Sequence, residues 1–351
     1  MNLSAPSYVG AGMPTKAMRM QSMLVSIVIV TWNRRDDILE TIQSVYDQQY
    51  SNIEIVVVDN GSSDGTVEAI HERYPAVNVV ALTENTGASV GRNIGISYAR
   101  GDIVFFLDSD ASLDHDAVNR VVQTFERMPE VGAIACKVVN FYTRQLDSVA
   151  GWVFSERVKA RQDEEFTCFT VSECGSAFRK QLLEQIGGFW DYLFFGREGE
   201  ELCLRVWGAG QQIRYVPSAK VYHRVSPHKR YEGGNREYHQ IRNILAIYST
   251  RYTWWMLLLF LPLKLTSIIV KGLTKRQMPD VLRALYHVVL DLPILLRQRR
   301  PLSNRAARTY VMLHRDHGAL SWNLRDWLTH KANLSIDSLS IAGRLRRVRK
   351  R

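Results

Sequence analysis

Val25–Thr31 is a run of β-branched and small side chains, and it opens an alternation of short apolar runs with segments of helical spacing. Asp36–Tyr46 places Ile38, Ile42 and Val45 on one helical stripe. Ile53–Val58 predicts a second strand, stopped by Asp59-Asn60-Gly61-Ser62. Thr66–Arg73 predicts a short helix, Val77–Leu82 a third strand, Ala88–Ala99 a third helix and Asp102–Leu107 a fourth strand. Strands and helices joined in this order by short loops argue a parallel, doubly wound sheet with right-handed crossovers. Such a sheet collects its polar loops on one edge: Trp32-Asn33-Arg34, Asp59-Asn60-Gly61, Asn85-Thr86-Gly87 and Asp108-Ser109-Asp110. Open α/β sheets bind ligands at that edge.

The second half changes character. Val131–Asn140, Phe166–Val171 and Ile213–Val216 predict strands, and Lys180–Ile186 and Glu198–Trp207 predict helices. Gly187-Gly188 ends the first of these helices and Gly208-Ala209-Gly210 the second, while a loop carrying His223 follows the last strand. Tyr252–Val270 is strongly apolar, but Pro262 and Lys264 interrupt it and leave an unbroken core of about ten residues, half of what a bilayer span needs. Val281–Leu296 repeats the theme with Arg297, Arg299 and Arg300 behind it. An apolar helix beside a basic patch suits an interfacial position on an anionic membrane surface, with a buried helix and a true span as the alternatives.

Charge sharpens that picture. The net charge is +10, and fourteen Lys and Arg stand against three Asp between Arg297 and Arg351, so the remainder is near neutral. The chain holds no nucleic-acid-binding motif, so the basic tail points to lipid rather than nucleic acid. Four cysteines (Cys136, Cys168, Cys174, Cys203) form no C-x-x-C pair, which suits reduced thiols in a cytosolic protein. With 46% apolar residues in 351, the chain divides into a disordered leader (1–22), a main domain (23–250), membrane-associating helices (251–300) and a basic tail (301–351).

The chemistry centres on Asp108-Ser109-Asp110 at the end of the fourth strand. Paired carboxylates there suit a hard divalent cation, and such a cation suits a diphosphate. A polar turn in which Asp110 or Ser112 caps the following helix is the plainer alternative.

Taken in order, Val25-Ser26-Ile27-Val28-Ile29-Val30-Thr31-Trp32-Asn33-Arg34, Asp59-Asn60-Gly61-Ser62-Ser63-Asp64-Gly65-Thr66, Gly91-Arg92-Asn93-x-Gly95, Asp108-Ser109-Asp110, Cys174-Gly175-Ser176-Ala177-Phe178-Arg179, Gly187-Gly188-Phe189 and Val221-Tyr222-His223 resemble the family 2 glycosyltransferases of GT-A fold, over about Val25 to Arg230. Within that family the chain is most similar to bacterial surface-polysaccharide and rhamnosyltransferase-like enzymes. The resemblance implies an α/β protein with a GT-A-type doubly wound mixed sheet flanked by helices, and C-terminal amphipathic and apolar helices. It implies inverting transfer of a sugar from a nucleotide-diphosphate sugar to a hydroxyl of a glycan or lipid-linked acceptor, at the cytoplasmic face of the cell inner membrane. Mg2+ or Mn2+ is the implied cofactor, with Asp110, Asp108 and His223 as ligands. Thr31, Asn33, Arg34, Asp59, Asn60, Gly87, Arg92, Asn93, Asp108 and Ser109 are the implied nucleotide-sugar contacts, Asp59 reading the base.

The catalytic base departs from the family pattern. Aligning Leu202-Cys203-Leu204-Arg205 on Glu-Asp-x-Asp-Leu-x-x-Arg sets Glu198 on the family Glu and Gly199 on the catalytic Asp. Glycine carries no base, so Glu200 and then Glu198 are the expected substitutes; Glu201 lies four residues from Arg205, placed for an ion pair. Three acids at a helix start also simply favour the helix dipole. The missing Asp leaves a catalytically inactive nucleotide-sugar-binding or scaffold protein as the alternative function. A sugar nucleotidyltransferase is the other, and Thr31-Trp32-Asn33-Arg34 lacks the Gly-rich phosphate loop it needs.

Overall fold

The computed structural model describes residues 22–147, 153–224 and 235–317. Val25–Thr31 (β1), Arg35–Tyr46 (α1), Ile53–Asp59 (β2), Thr66–Arg73 (α2), Asn78–Ala81 (β3), Ala88–Tyr98 (α3) and Ile103–Asp108 (β4) follow one another as the apolar pattern predicts. Ala111–Leu113 (β5), Ala117–Arg127 (α4), Val131–Asn140 (β6), Phe166–Thr167 (β7), Gly175–Arg179 (β8), Lys180–Ile186 (α5), Glu198–Gly208 (α6) and Gln212–His223 (β9) complete the sheet and its helices. Asn235–Arg251 (α7), Trp254–Thr274 (α8), Met278–Arg297 (α9) and Asn304–His317 (α10) follow.

The strands run in the order β3-β2-β1-β4-β8-β6-β9-β5, with β7 added against β9. The first four are mutually parallel, while β8 is antiparallel to both β4 and β6, so the sheet is mixed. Alternate residues of each central strand feed two cores, as a period of two requires. Val28, Val104 and Phe106 pack on one face with α6, α7, α8 and α10, and Ile27, Ile29, Phe105 and Leu107 on the other with α1, α2 and α4.

Departures from the sequence expectation have local causes. His223 was expected on a loop, but it ends β9. Pro217 hides that strand, because proline cannot donate to a ladder. The register between β6 and β9 jumps there, from Cys136↔Val216 to Lys137↔Lys220, so the proline sits in a bulge. β8 is a short Gly-Ser-Ala-Phe-Arg segment with no apolar run, and it is a strand because β4 and β6 enclose it. Strand β7 is shorter than the predicted Phe166–Val171. Neither Asp110 nor Ser112 caps a helix: α4 begins after Asp116, and both residues flank or lie in β5. The leader and residues 318–351 of the basic tail lie outside the described residues, Ser22 excepted. The described part of the tail is α10, which sets Ala307 and Tyr310 into the core.

α3 lies directly on β1. A Cβ on Gly91 would come within 2.8 Å of Val30 Cγ1, and one on Gly95 within 2.2 Å of Val28 Cγ1. Alanine has the better helix propensity by about 1 kcal/mol. The collision is with a branched side chain held in the sheet, so overpacking wins. Gly95→Ala is expected to lower stability by ~1–3 kcal/mol, read as a lower urea midpoint at unchanged m-value; an unchanged midpoint contradicts this packing.

Candidate functional site

Asp108 closes β4, and the chain turns through Ser109 and Asp110 into β5, which pairs with the end of β9 so that Ala111 faces His223. The Arg224 N–H donates to the Asp110 carbonyl at 2.8 Å and holds the turn. The Asp110 carboxylate is fully buried, with Oδ1 3.5 Å from His223 Nε2. His223 Nδ1 lies 2.7 Å from Oδ2 of the buried Asp147. A carboxylate on Nδ1 holds its proton there and leaves Nε2 with a lone pair. Among the described residues, Nε2 is buried without a hydrogen-bond partner. Asp108, His223 and Cys174 bring ligand atoms within 4.8 Å of one another. Burial raises the Cys174 thiol well above its ordinary pKa, so it stays neutral and is a poor donor to a hard cation. The oxygen and imidazole donors therefore fit a divalent cation. Sequence reasoning missed Asp147, which no motif marks.

Arg92 stands on α3 above this turn. Its guanidinium donates to Glu198 at 2.8 Å and to Asp108 at 3.4 Å, and stacks over the Phe189 ring. It thus joins α3, β4 and α6.

A second group lies at the ends of β1 and β2, where Thr31 and Asp59 are register partners. Asp59 accepts from the Ser62 N–H through Oδ2 at 2.9 Å. Its Oδ1 and the Thr31 hydroxyl are buried with no hydrogen-bond partner among the described residues. Asn33, at φ 51°, ties its loop to the next by accepting from the Ser63 N–H at 2.8 Å. Arg34 pairs with Asp37 at 3.2 Å.

Other predicted contacts are turned to structural use. Asn60 clamps the 85–87 loop, donating to Asn85 and to the Gly87 carbonyl at 3.1 Å and accepting from Thr86. Gly87, at φ +88°, lies so close to Phe194 that a Cβ would sit 2.6 Å from its carbonyl oxygen. Asn93, one of the implied nucleotide-sugar contacts, exchanges two hydrogen bonds with the Phe189 backbone, at 2.8 and 2.7 Å. Ser109 lends its carbonyl to the Thr41 hydroxyl.

The three acids of α6 part ways. Glu198 is buried on Arg92. Glu200 does not join the cluster: it pairs with Arg197 at 2.6 Å, and its charge is felt by Tyr248 of α7, Tyr252 just beyond it and Tyr310 of α10. Glu201 is fully buried between Arg205 and Arg251, each at 2.6 Å. A fourth acid, Glu173, accepts from the Gly199 N–H at 2.7 Å. Desolvation, then the neighbouring Glu198, raises its pKa to about 7. A cavity of about 930 Å³ between the α5–α6 region and the α9–α10 turn contains none of these acids.

Residues 26–187 match the model of glycosyl transferase family 2. The chain carries a family 2 glycosyltransferase domain. It is 28% identical over 176 residues to a poly-beta-1,6-N-acetyl-D-glucosamine synthase of Staphylococcus epidermidis, covering 48% of this chain and 42% of that one. The chain thus spans under half the length of that synthase. It is 26% identical over 225 residues to the glucosyl-dolichyl phosphate glucuronosyltransferase of Haloferax volcanii, covering 58% and 70%. Its fold matches a mannosyltransferase of Pyrobaculum calidifontis solved with GDP-Man and Mn2+, at TM-score 0.51 and 19% identity, over 90% of this chain and 81% of that one. The GT-A expectation for the fold holds.

The Arg92–Glu198 pair is almost solvent-free, with side chains 10% and 4% exposed. Removing one partner of a buried pair strands the other. Arg92→Met is expected to cost ~3–5 kcal/mol, and Glu198→Gln in the same chain to recover part of it, both read by urea unfolding. Equal loss in the single and double variants would show that charge stranding is not the cause.

Proposed function

We propose that this protein is an inverting glycosyltransferase of cell-surface polysaccharide synthesis, moving a sugar from a nucleotide-diphosphate sugar to a hydroxyl of a glycan or lipid-linked acceptor. The observation that carries this reading is the pairing of two unsatisfied sites on one sheet edge. Asp59 Oδ1 and the Thr31 hydroxyl are buried acceptors without partners among the described residues, and His223 Nε2 beside Asp110 is another. The first pair suits the N–H of a nucleobase; the second suits a cation. Asp110, His223 and Asp108 would hold Mg2+ or Mn2+, which supplies charge neutralisation at a diphosphate leaving group. Asp147 keeps the His223 ring oriented, and Arg92 fixes the Asp108 carboxylate. Asn33 and Arg34 would flank the nucleotide from the first loop. The mannosyltransferase neighbour, with GDP-Man and Mn2+ bound, supports the same donor class and a divalent ion.

The same reading includes a peripheral membrane position on the cytoplasmic side, where nucleotide sugars are made. α8 is long and apolar enough to cross a bilayer, with a mean hydropathy of 1.8. Yet Met256, Phe260, Ile268 and Gly272 form a stripe packed into the protein, while Leu258 is 81% exposed. A helix with one face in a protein core and the other bare suits the interface. α9 exposes Leu282, Val289 and Leu290 beside it, with Lys275, Arg276, Arg283 and Arg297 at the rim.

Asp110→Asn keeps the turn but removes the charge, so transfer is expected to be lost with the fold intact by circular dichroism, and EDTA is expected to stop the unaltered protein; activity in either case refutes the cation site. Asp147→Asn is expected to weaken Mn2+ binding by ~10–100-fold in calorimetry. Membranes from expressing cells are expected to release part of the protein in high salt and nearly all in alkaline carbonate; retention through carbonate would mean a span, and a soluble protein would mean no docking.

A further inference from the structure

Gly199, the second residue of α6, has no side chain, and the Glu173 carboxylate fills the space one would take. A Cβ on Gly199 would lie 2.6 Å from Glu173 Oε1 and 2.9 Å from its Cδ. Glu173 precedes Cys174, whose carbonyl faces the Asp108 N–H at 3.4 Å, so the acid stands at the end of β4 beside the candidate cation site. The neighbouring acids are engaged: Glu198 on Arg92, Glu200 on Arg197, Glu201 on Arg205 and Arg251. Among the described residues Glu173 forms no ion pair, and it keeps part of its surface open.

The geometry points to Glu173 as the general base that deprotonates the acceptor hydroxyl, in a site that Gly199 leaves open for it. This rests on the transferase reading above. Glu173 takes the hydroxyl proton as the acceptor oxygen bonds to the anomeric carbon. The bond from that carbon to the phosphate oxygen breaks, and the nucleoside diphosphate leaves with the electron pair. The Gly199 N–H at the first turn of α6 orients the carboxylate by holding one oxygen. A pKa raised to about 7 keeps it ionised in part and basic enough to accept the proton. Glu198 is the less able candidate because its nearly buried carboxylate is already engaged by the Arg92 guanidinium at 2.8 Å.

The test uses the purified full-length protein with Mn2+, UDP and GDP as binding probes, and UDP- and GDP-sugars with water as acceptor. Glu173→Gln preserves the hydrogen bond to Gly199 and is expected to bind nucleotide within about twofold of the unaltered protein while releasing nucleotide ~10²–10⁴-fold more slowly. Gly199→Asp alone collides with Glu173. In Glu173→Ala the space is free, so adding Gly199→Asp is expected to restore turnover at least ~10-fold over Glu173→Ala alone. Glu173→Gln turning over within about threefold of the unaltered protein overturns the assignment alone. Nucleotide binding without turnover in the unaltered protein overturns the base and favours a binding role. Absence of both binding and turnover overturns the transferase reading and the base with it.

Discussion

The site is organised around one guanidinium. Arg92 spans Glu198 and Asp108, so it joins a helix, a strand end and a second helix start that lie up to 106 residues apart in sequence. A buried ion pair returns little net stability over an apolar pair of the same shape, because both charges lose their water. What it provides here is position. Arg92 reaches the sheet edge only because Gly91 and Gly95 let α3 settle onto Val30 and Val28 of β1. A methyl at either place would lift the helix and separate the guanidinium from Asp108. Two glycines on one helix face thus decide where the first carboxylate of the Asp-Ser-Asp turn points.

The same cation also explains why neighbouring acids differ. Arg92 donates to Glu198, while Glu173 accepts from the Gly199 N–H and feels the guanidinium only through space. Two carboxylates side by side cannot ionise with equal ease. Glu173 is pushed upward first by desolvation and then by the neighbouring Glu198, against the pull of Arg92. Environments that drive two like groups apart are how a fold assigns different tasks to them.

The parallel half of the fold was legible because its central strands β1 and β4 are buried on both faces and read as continuous apolar runs. The bounds of β1 followed from that, and the alternation with helical spacing supplied α2 and the order of the first half. The antiparallel half was harder. β9 conceals itself with Pro217, β8 has too little apolar content, and β5 is only three residues long. In the site, residues on the predicted edge came together: Thr31 with Asp59, and Asp108 with Asp110 and His223. Asn60 and Asn93 also clamp loops, and an asparagine that clamps a loop looks the same in sequence as one that meets a ligand. Glu173 and Asp147 escaped because their partners, Gly199 and His223, lie 26 and 76 residues away, where spacing along the chain carries no signal.

The α6 turn is also tied to the apolar helices. Glu201 is fully buried and accepts from Arg205 on its own helix and from Arg251 at the end of α7. Arg205 continues to the carbonyls of Ile186, Gly187 and Gly188, behind the loop that Asn93 clamps. Arg251 leads within three residues to Trp254, where α8 begins, and Arg299 at the end of α9 stacks over the Trp254 ring and donates to the Tyr252 carbonyl. Removing Glu201 would therefore strand two guanidinium groups at once, in the element that connects the acids above the sheet to the exposed apolar face. That linkage leaves little freedom for the apolar helices to swing relative to the cleft.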